Sequence, residues 1–190
     1  DIKDTLLEKV REKMADWHTG DPMDPDNQLG AIISQEQYDK ILGYIQSAKD
    51  EGAELIEGGN AIEVGDGLFI EPTLFAGVTS KMTIAKEEIF GPVFAMMVVD
   101  SDEEAIKLAN DTCYGLQASL YTSNITKAHK YARALQAGTV SVNCYGEGDM
   151  TTPFGGYKLS GFGGRDNSLM AHDQYTEVKT IWINVSGTPS

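Results

Sequence analysis

The sequence predicts an α/β fold, a mostly parallel sheet with covering helices. The clearest sign is alternation. The apolar run 93–99 is followed by a helical segment opened at Ser101, a strand-like segment at 116–121, a helical one at 125–136 and a strand-like one at 139–143. The connections between these segments are short, which favours a parallel sheet whose crossovers are the helices. The run Val93-Phe94-Ala95-Met96-Met97-Val98-Val99 has no polar member, the pattern of a strand buried on both faces.

Taken in order, residues 2–17 place Ile2, Leu6, Leu7, Val10, Met14 and Trp17 at helical spacing between Lys, Arg and Glu, with no N-cap motif in front. Gly20-Asp21-Pro22-Met23-Asp24-Pro25-Asp26-Asn27 is a turn-rich connector. Ser34-Gln35-Glu36-Gln37 reads as a capping box, opening a helix with Tyr38, Ile41, Leu42, Ile45 and Ala48 on one face and Gly52 at its end. Short strands are expected at 53–56 and 68–70. Ser101-Asp102-Glu103-Glu104 is a second capping box, and Gly138 is the stop signal after the 125–136 helix.

Residues 143–164 form a long glycine-rich stretch behind a strand's carboxyl end, where open α/β sheets place their ligand crevice. Its aromatics and Met favour a functional loop over a solvated one. The closing alternation at 175–183 suits an edge strand of this chain or a strand that pairs with another subunit.

Lys86-Glu87-Glu88-Ile89-Phe90-Gly91-Pro92-Val93 combines charge, an aromatic ring and a rigid Gly-Pro pair. Gly91 permits close backbone approach and Pro92 fixes its own φ, so Glu88 and Phe90 can be held in one geometry. On residues alone two readings stand side by side: a rigid loop gripping a small polar ligand, or a surface turn before a strand.

Composition removes several function classes. With 15 Lys+Arg against 29 Asp+Glu, the net charge of −14 repels phosphate backbones and anionic membrane surfaces, so neither nucleic acid nor a membrane is an expected partner. No apolar run approaches the roughly 20 residues a membrane span requires. The chain has no secretory leader pattern, and the N-x-S/T triplets at Asn110, Asn124 and Asn184 then read as chance. A reduced, cytoplasmic protein is expected.

Cys113 and Cys144 make neither a disulfide framework nor a metal site, and both read as buried, inert thiols. His18, His129 and His172 lack metal spacing, and no metal is expected. Gly161-Phe162-Gly163-Gly164 does not join a strand to a helix as a dinucleotide fingerprint would. Glu147 and Asp149 allow an acid/base pair or a solvated, cation-facing pair. Motif chemistry alone yields no complete catalytic machine.

Four blocks together resemble the NAD(P)-dependent aldehyde dehydrogenase superfamily: Glu87-Glu88-Ile89-Phe90-Gly91-Pro92-Val93, Asn110-x-x-x-Tyr114-Gly115-Leu116, Ala137-Gly138-Thr139-Val140-x-Val142-Asn143, and Pro153-Phe154-Gly155-Gly156-x-Lys158-x-Ser160-Gly161. The resemblance covers all 190 residues but only the C-terminal part of the family's pattern. It implies an α/β catalytic domain truncated at its N-terminus over 1–174, and the tail strand of an oligomerisation element over 175–190. The family's Rossmann-like domain, general-base Glu, oxyanion-stabilising Asn and nucleophilic Cys all precede the matched part. The isolated chain is therefore expected to be inactive, with no catalytic residue of its own and weak or no cofactor binding.

The resemblance also implies roles. Glu88 would accept from the hydroxyls of the nicotinamide ribose of NAD or NADP, with Phe90 packed beside it. Phe154 would line the aldehyde tunnel, and 146–151, with Glu147, Asp149 and Met150, would shape its mouth. Glu177 would be a structural Glu near the site. The loop and the run 160–166 look most like the branch acting on γ-amino, γ-glutamylamino or guanidino butyraldehydes, and Glu147 and Asp149 are expected to attract a cationic substrate tail. The missing N-terminal half and further copies of the chain are the expected partners. A non-catalytic binding module reusing the fold is the competing reading, and an autonomous enzyme using Cys113 or Cys144 is a third.

Overall fold

A computed structural model describes residues 2–146 and 148–187. It divides into two compact units, Asp1–Asp100 and Ser101–Ser190.

The first unit begins with α1 (Lys3–Ala15). Its N-cap is Ile2, which offers no side-chain acceptor, and none of its residues is buried. The apolar face is only half covered: Leu7, Val10 and Met14 are intermediate while Ile2, Leu6 and Trp17 are exposed. Helix α2 (Gln35–Asp50) starts where the sequence places it, with Ser34 extended and its hydroxyl accepting from the Gln37 amide at 3.2 Å. Only half of the capping box forms, because the Gln37 side chain turns away from the cap.

Strands β1 (Glu54–Glu57) and β4 (Thr73–Ala76) pair antiparallel, and β4 pairs parallel with β5 (Val93–Ala95) in the order β1-β4-β5. Between them, β2 (Ala61–Ile62) and β3 (Phe69–Ile70) form a small antiparallel hairpin, and α3 (Thr83–Lys86) precedes β5. The core gathers Ile41, Ile45 and Ala48 of α2 against Ile70, Phe75, Val78, Met82 and Ile84. The whole of β4 is buried, as the middle strand of three must be.

The run 93–99 departs from expectation. Only its first three residues form a strand, and Phe94, Met97 and Val98 are exposed while Met96 is buried. β5 is the outer strand of its sheet, paired on one side only, so the apolar run lacks the second neighbour that full burial requires.

The second unit contains α4 (Asp102–Asn110), β6 (Gln117–Leu120), α5 (Ile125–Ala134) and β7 (Thr139–Val142), with β6 and β7 parallel and in register from Gln117↔Thr139 to Leu120↔Val142. α4 is capped by Ser101 and α5 by Asn124, each accepting an amide of the first turn. α5 ends before the glycine that the sequence marks as its stop, with Leu135 already extended. Asp102 and Glu103 of α4 meet Lys127 and Lys130 of α5 at 2.6 and 3.0 Å. Parallel sheets are normally covered on both faces, yet Ala128 is the one buried hydrophobic side chain among the described residues of this unit.

Short 3₁₀ turns follow at Lys158–Ser160 and Leu169–Gln174. Residues 175–187 form no strand. Tyr175, Val178, Ile181, Trp182, Ile183 and Val185 are all exposed, so the alternation seen in the sequence has no partner strand among the described residues.

Candidate functional site

The segment after α3 is held by one face of α2. Gln37 Nε2 donates to the carbonyl oxygens of Ile89 at 2.9 Å and Phe90 at 3.3 Å. Gly91 faces Ile41 so closely that a Cβ there would lie 2.8 Å from the isoleucine side chain. Tyr44 Oη donates to Glu87 Oε2 at 2.7 Å. Residues 37, 41 and 44 fall at i, i+4 and i+7, a single helical stripe.

Within this grip Phe90 takes a left-handed backbone, φ 53°, which costs a non-glycine residue about 1 kcal/mol or more. Its ring is 71% exposed. Glu88 is also exposed, and among the described residues its carboxylate has no hydrogen bond or ion pair. Of two adjacent acids, one is tied to the helix and the other is left free beside an uncovered ring. A free carboxylate with two acceptor oxygens suits a pair of vicinal hydroxyls.

The other predicted residues lie in the second unit, on the stretch leaving β7. Asn143 is left-handed, φ 56°; its Oδ1 accepts from the Thr122 amide at 2.8 Å and its Nδ2 donates to the Thr122 carbonyl at 2.9 Å. Beyond it, the Gly146 carbonyl accepts from Gln117 Nε2 at 2.9 Å and Ser141 Oγ at 3.2 Å. Residues 138–142 line a cavity of about 580 Å³ with Cys144, Tyr145, Gly146, Gly148, Thr152 and Pro153.

Met150 is exposed, with its carbonyl accepting from the Ser168 amide at 2.8 Å. Phe154 is half-buried and bridges Asp166 through reciprocal backbone bonds of 2.8 and 2.7 Å. Glu147 lies outside the described residues. Glu177 sits exposed on the tail.

Backbone contacts brace this loop. The Gly115 carbonyl accepts from the amides of Gly138 at 3.0 Å and Tyr157 at 2.8 Å, the Gly115 amide donates to Ser160 Oγ at 3.1 Å, and the Cys113 carbonyl accepts from the Leu159 amide at 2.9 Å. Lys158 Nζ donates to the carbonyls of Asn110 and Thr112 at 2.7 and 2.9 Å. The Asn110 side chain accepts from the Gln136 amide and donates to the Ala134 carbonyl, both at 2.8 Å. Three of the four sequence blocks are thus parts of one bracket.

Asp149 is occupied by its own loop. The Thr151 hydroxyl and amide donate to Oδ1 at 2.6 and 2.7 Å, and these bonds hold the carboxyl below the usual aspartate range. In α4, Lys127 lowers Asp102 and Lys130 lowers Glu103, while the bond to Asp102 pushes the Tyr131 phenol up to about 12. A lowered carboxyl favours the fold above its unfolded value, roughly pH 4, and that contribution is lost as pH falls through the lower folded value. The raised Tyr131 has the opposite sign: its contribution is complete below about pH 10 and is lost as pH rises through the folded value. Thr151→Val is expected to return Asp149 upward toward the ordinary range, read by carboxyl ¹³C titration. An unmoved titration would show that the threonine does not hold it.

The cysteines depart from the sequence reading. Cys113 and Cys144 are both exposed. Cys113 lies in the bend after α4, and Cys144 follows the left-handed Asn143, where the chain has left β7. Among the described residues no group of three His, Cys, Asp or Glu could hold a metal, and no helix is long and apolar enough to cross a membrane. Sequence reasoning missed Gln37, Tyr44 and Gln117 as loop holders. Gln37 did carry a signal, but a glutamine at the third position of a helix was assigned to the cap.

Comparison with known proteins adds to this geometry. The pattern of the Aldehyde dehydrogenase family matches residues 1–181. The aminoacetaldehyde dehydrogenase of Pseudomonas aeruginosa is 49% identical over 186 residues, covering 98% of this chain and 37% of the relative. The betaine aldehyde dehydrogenase of Sinorhizobium fredii is 45% identical over 187 residues, covering 97% and 38%. Among solved structures, the indole-3-acetaldehyde dehydrogenase AldA of P. syringae, in complex with NAD⁺ and IAA, superposes with a TM-score of 0.92 at 49% identity, covering 97% of this chain and 37% of that one. The chain therefore spans somewhat over a third of the length of these relatives.

Proposed function

Because the chain belongs to the aldehyde dehydrogenase family, we propose that it supplies the nicotinamide-ribose clamp and part of the aldehyde-tunnel wall of an enzyme that oxidises an aldehyde to a carboxylic acid. The observation carrying this reading is the unpaired Glu88 carboxylate beside the exposed Phe90 ring on a loop fixed from behind. When bound, the nicotinamide cofactor supplies hydride acceptance. Glu88 accepts from two ribose hydroxyls and so orients the ring, and Phe90 covers one side. NAD⁺ in complexes of similar proteins favours a cofactor of that type.

Phe154 forms wall, and Asp149 and Met150 sit at the tunnel mouth, a role that the family resemblance also assigns to Glu147. Relatives named for aminoacetaldehyde and betaine aldehyde favour a substrate with a nitrogen-bearing tail. Asp149 keeps Oδ2 for such a cation while Oδ1 serves the turn. Exposed pairs of this kind are worth about 1 kcal/mol or less, so the preference they give is several-fold.

Both parts are tested in the full-length enzyme carrying this sequence. Glu88→Gln weakens charge-assisted bonds and is expected to raise KM for the cofactor about 10- to 100-fold. Glu147→Gln is expected to lower the ratio of cationic to neutral aldehyde turnover several-fold. An unchanged cofactor KM sinks the clamp, and an unchanged ratio sinks the cation preference.

The uncovered apolar side chains of 175–185 fit pairing with a second copy of the chain. Sedimentation is expected to show concentration-dependent association, and a monomer at all concentrations contradicts it.

A further inference from the structure

We propose that the Gln37-Ile41-Tyr44 face of α2 is the template that sets the clamp, with Gln37 as a positioning residue for cofactor binding. This rests on the reading of Glu88 and Phe90 as the clamp and assigns what holds them. A glutamine three residues into a helix ordinarily returns its side chain to the cap. Here Ser34 is left to cap alone, and the half-buried Gln37 amide spans 52 positions of sequence to the Ile89 carbonyl. The second carbonyl it reaches is that of Phe90, the residue with the unfavourable backbone angle. A left-handed phenylalanine persists only where its surroundings over-determine it, and the partners that do so lie on one stripe.

The stripe acts at three depths. Gln37 fixes the carbonyls on either side of the strained peptide. Ile41, fully buried in the core, leaves room for Gly91 and no side chain there. Tyr44 draws Glu87 to the helix. Since Glu87 and Glu88 are neighbours in an extended segment, anchoring one directs the other away from α2. The clamp's two working side chains are thus aimed by a single stripe of α2.

The test uses Gln37→Met, which keeps length and removes both donors, and Gln37→Glu, which puts a carboxylate against two carbonyl oxygens. In the 190-residue chain, the Phe90 scalar coupling and ¹³Cα shift report whether its backbone stays left-handed. Both variants are expected to lose that signature at neutral pH. Gln37→Glu is expected to regain it in acid, because a protonated carboxyl again donates, whereas Gln37→Met does not recover. Tyr44→Phe, which removes only one hydroxyl, is expected to shift the Glu87 and Glu88 resonances and leave the Phe90 signature in place.

In the full-length enzyme, Gln37→Met is expected to raise cofactor KM about tenfold with kcat changed far less, the result of losing a pair of ordinary hydrogen bonds behind the binding loop. An unchanged Phe90 signature in both Gln37 variants overturns the template. A lost signature with unchanged cofactor KM leaves the template standing and overturns the clamp it is said to serve.

Discussion

Phe75→Ala is expected to lower the unfolding free energy of the first unit by about 3–5 kcal/mol, the cost of emptying a ring-sized site in a close-packed core. Phe75 is fully buried in the middle strand β4, opposite Leu55 on β1 and Ala95 on β5, and its carbonyl accepts from the Met96 amide at 2.9 Å. The ring belongs to the cluster that includes Ile41, Ile45 and Ala48 of α2. The backbone around it is tied on both sides, so it cannot collapse far into the vacancy. Total stabilities of domains this size are about 5–15 kcal/mol, so the change uses a large part of what is available. Urea unfolding followed by Trp17 fluorescence, in a Trp182→Phe background, reads the effect. A loss under about 1 kcal/mol would mean that this cluster is not the centre of the unit.

The second large effect is expected at Gly138. A Cβ at this position would run into the Gly155 carbonyl oxygen and crowd Gly156. Its φ is not in the left-handed region, so the requirement for glycine is closeness and not backbone freedom. Backbone atoms bonded on both sides cannot rotate aside as a flexible side chain can. Gly138→Ala is therefore expected to cost about 1–3 kcal/mol or more and to speed amide exchange at Gly138 and Tyr157, which share the Gly115 carbonyl. Unchanged exchange at both amides would show that the bracket does not depend on this contact.

What the sequence revealed followed from local rules. Helix starts at Ser34, Ser101 and Asn124 were legible or nearly so because a cap and an apolar periodicity lie within one turn of each other. The strands β6 and β7 were legible because each is a short alternation of polar and apolar residues that begins just after a glycine. The extent of 93–99 was not, since how far an apolar run stays in a sheet depends on the neighbours its backbone finds. The exposure of Cys113 and Cys144 was hidden for the same reason: a thiol two residues past the end of β7, or in the bend after α4, reads like one inside the fold. At the candidate site, Glu88 and Phe90 were visible as types but not as a geometry. The partners that set that geometry lie about fifty positions away on α2, and no local pattern links them.

The bracket at Gly115, Gly138 and Tyr157 has an evolutionary consequence. It is made largely of main-chain groups, so substitution of the side chains between Val142 and Phe154 leaves its bonds intact. The loop it closes can also lengthen cheaply, since doubling a flexible loop costs only about 0.6 kcal/mol in closure entropy. Residues lining the cavity beside β7 can therefore be exchanged, added or removed while both ends of the loop remain fixed. The protein separates the part of its chain that must be kept from the part that is free to be rewritten, and sets the boundary between them at Gly115, Gly138 and Tyr157.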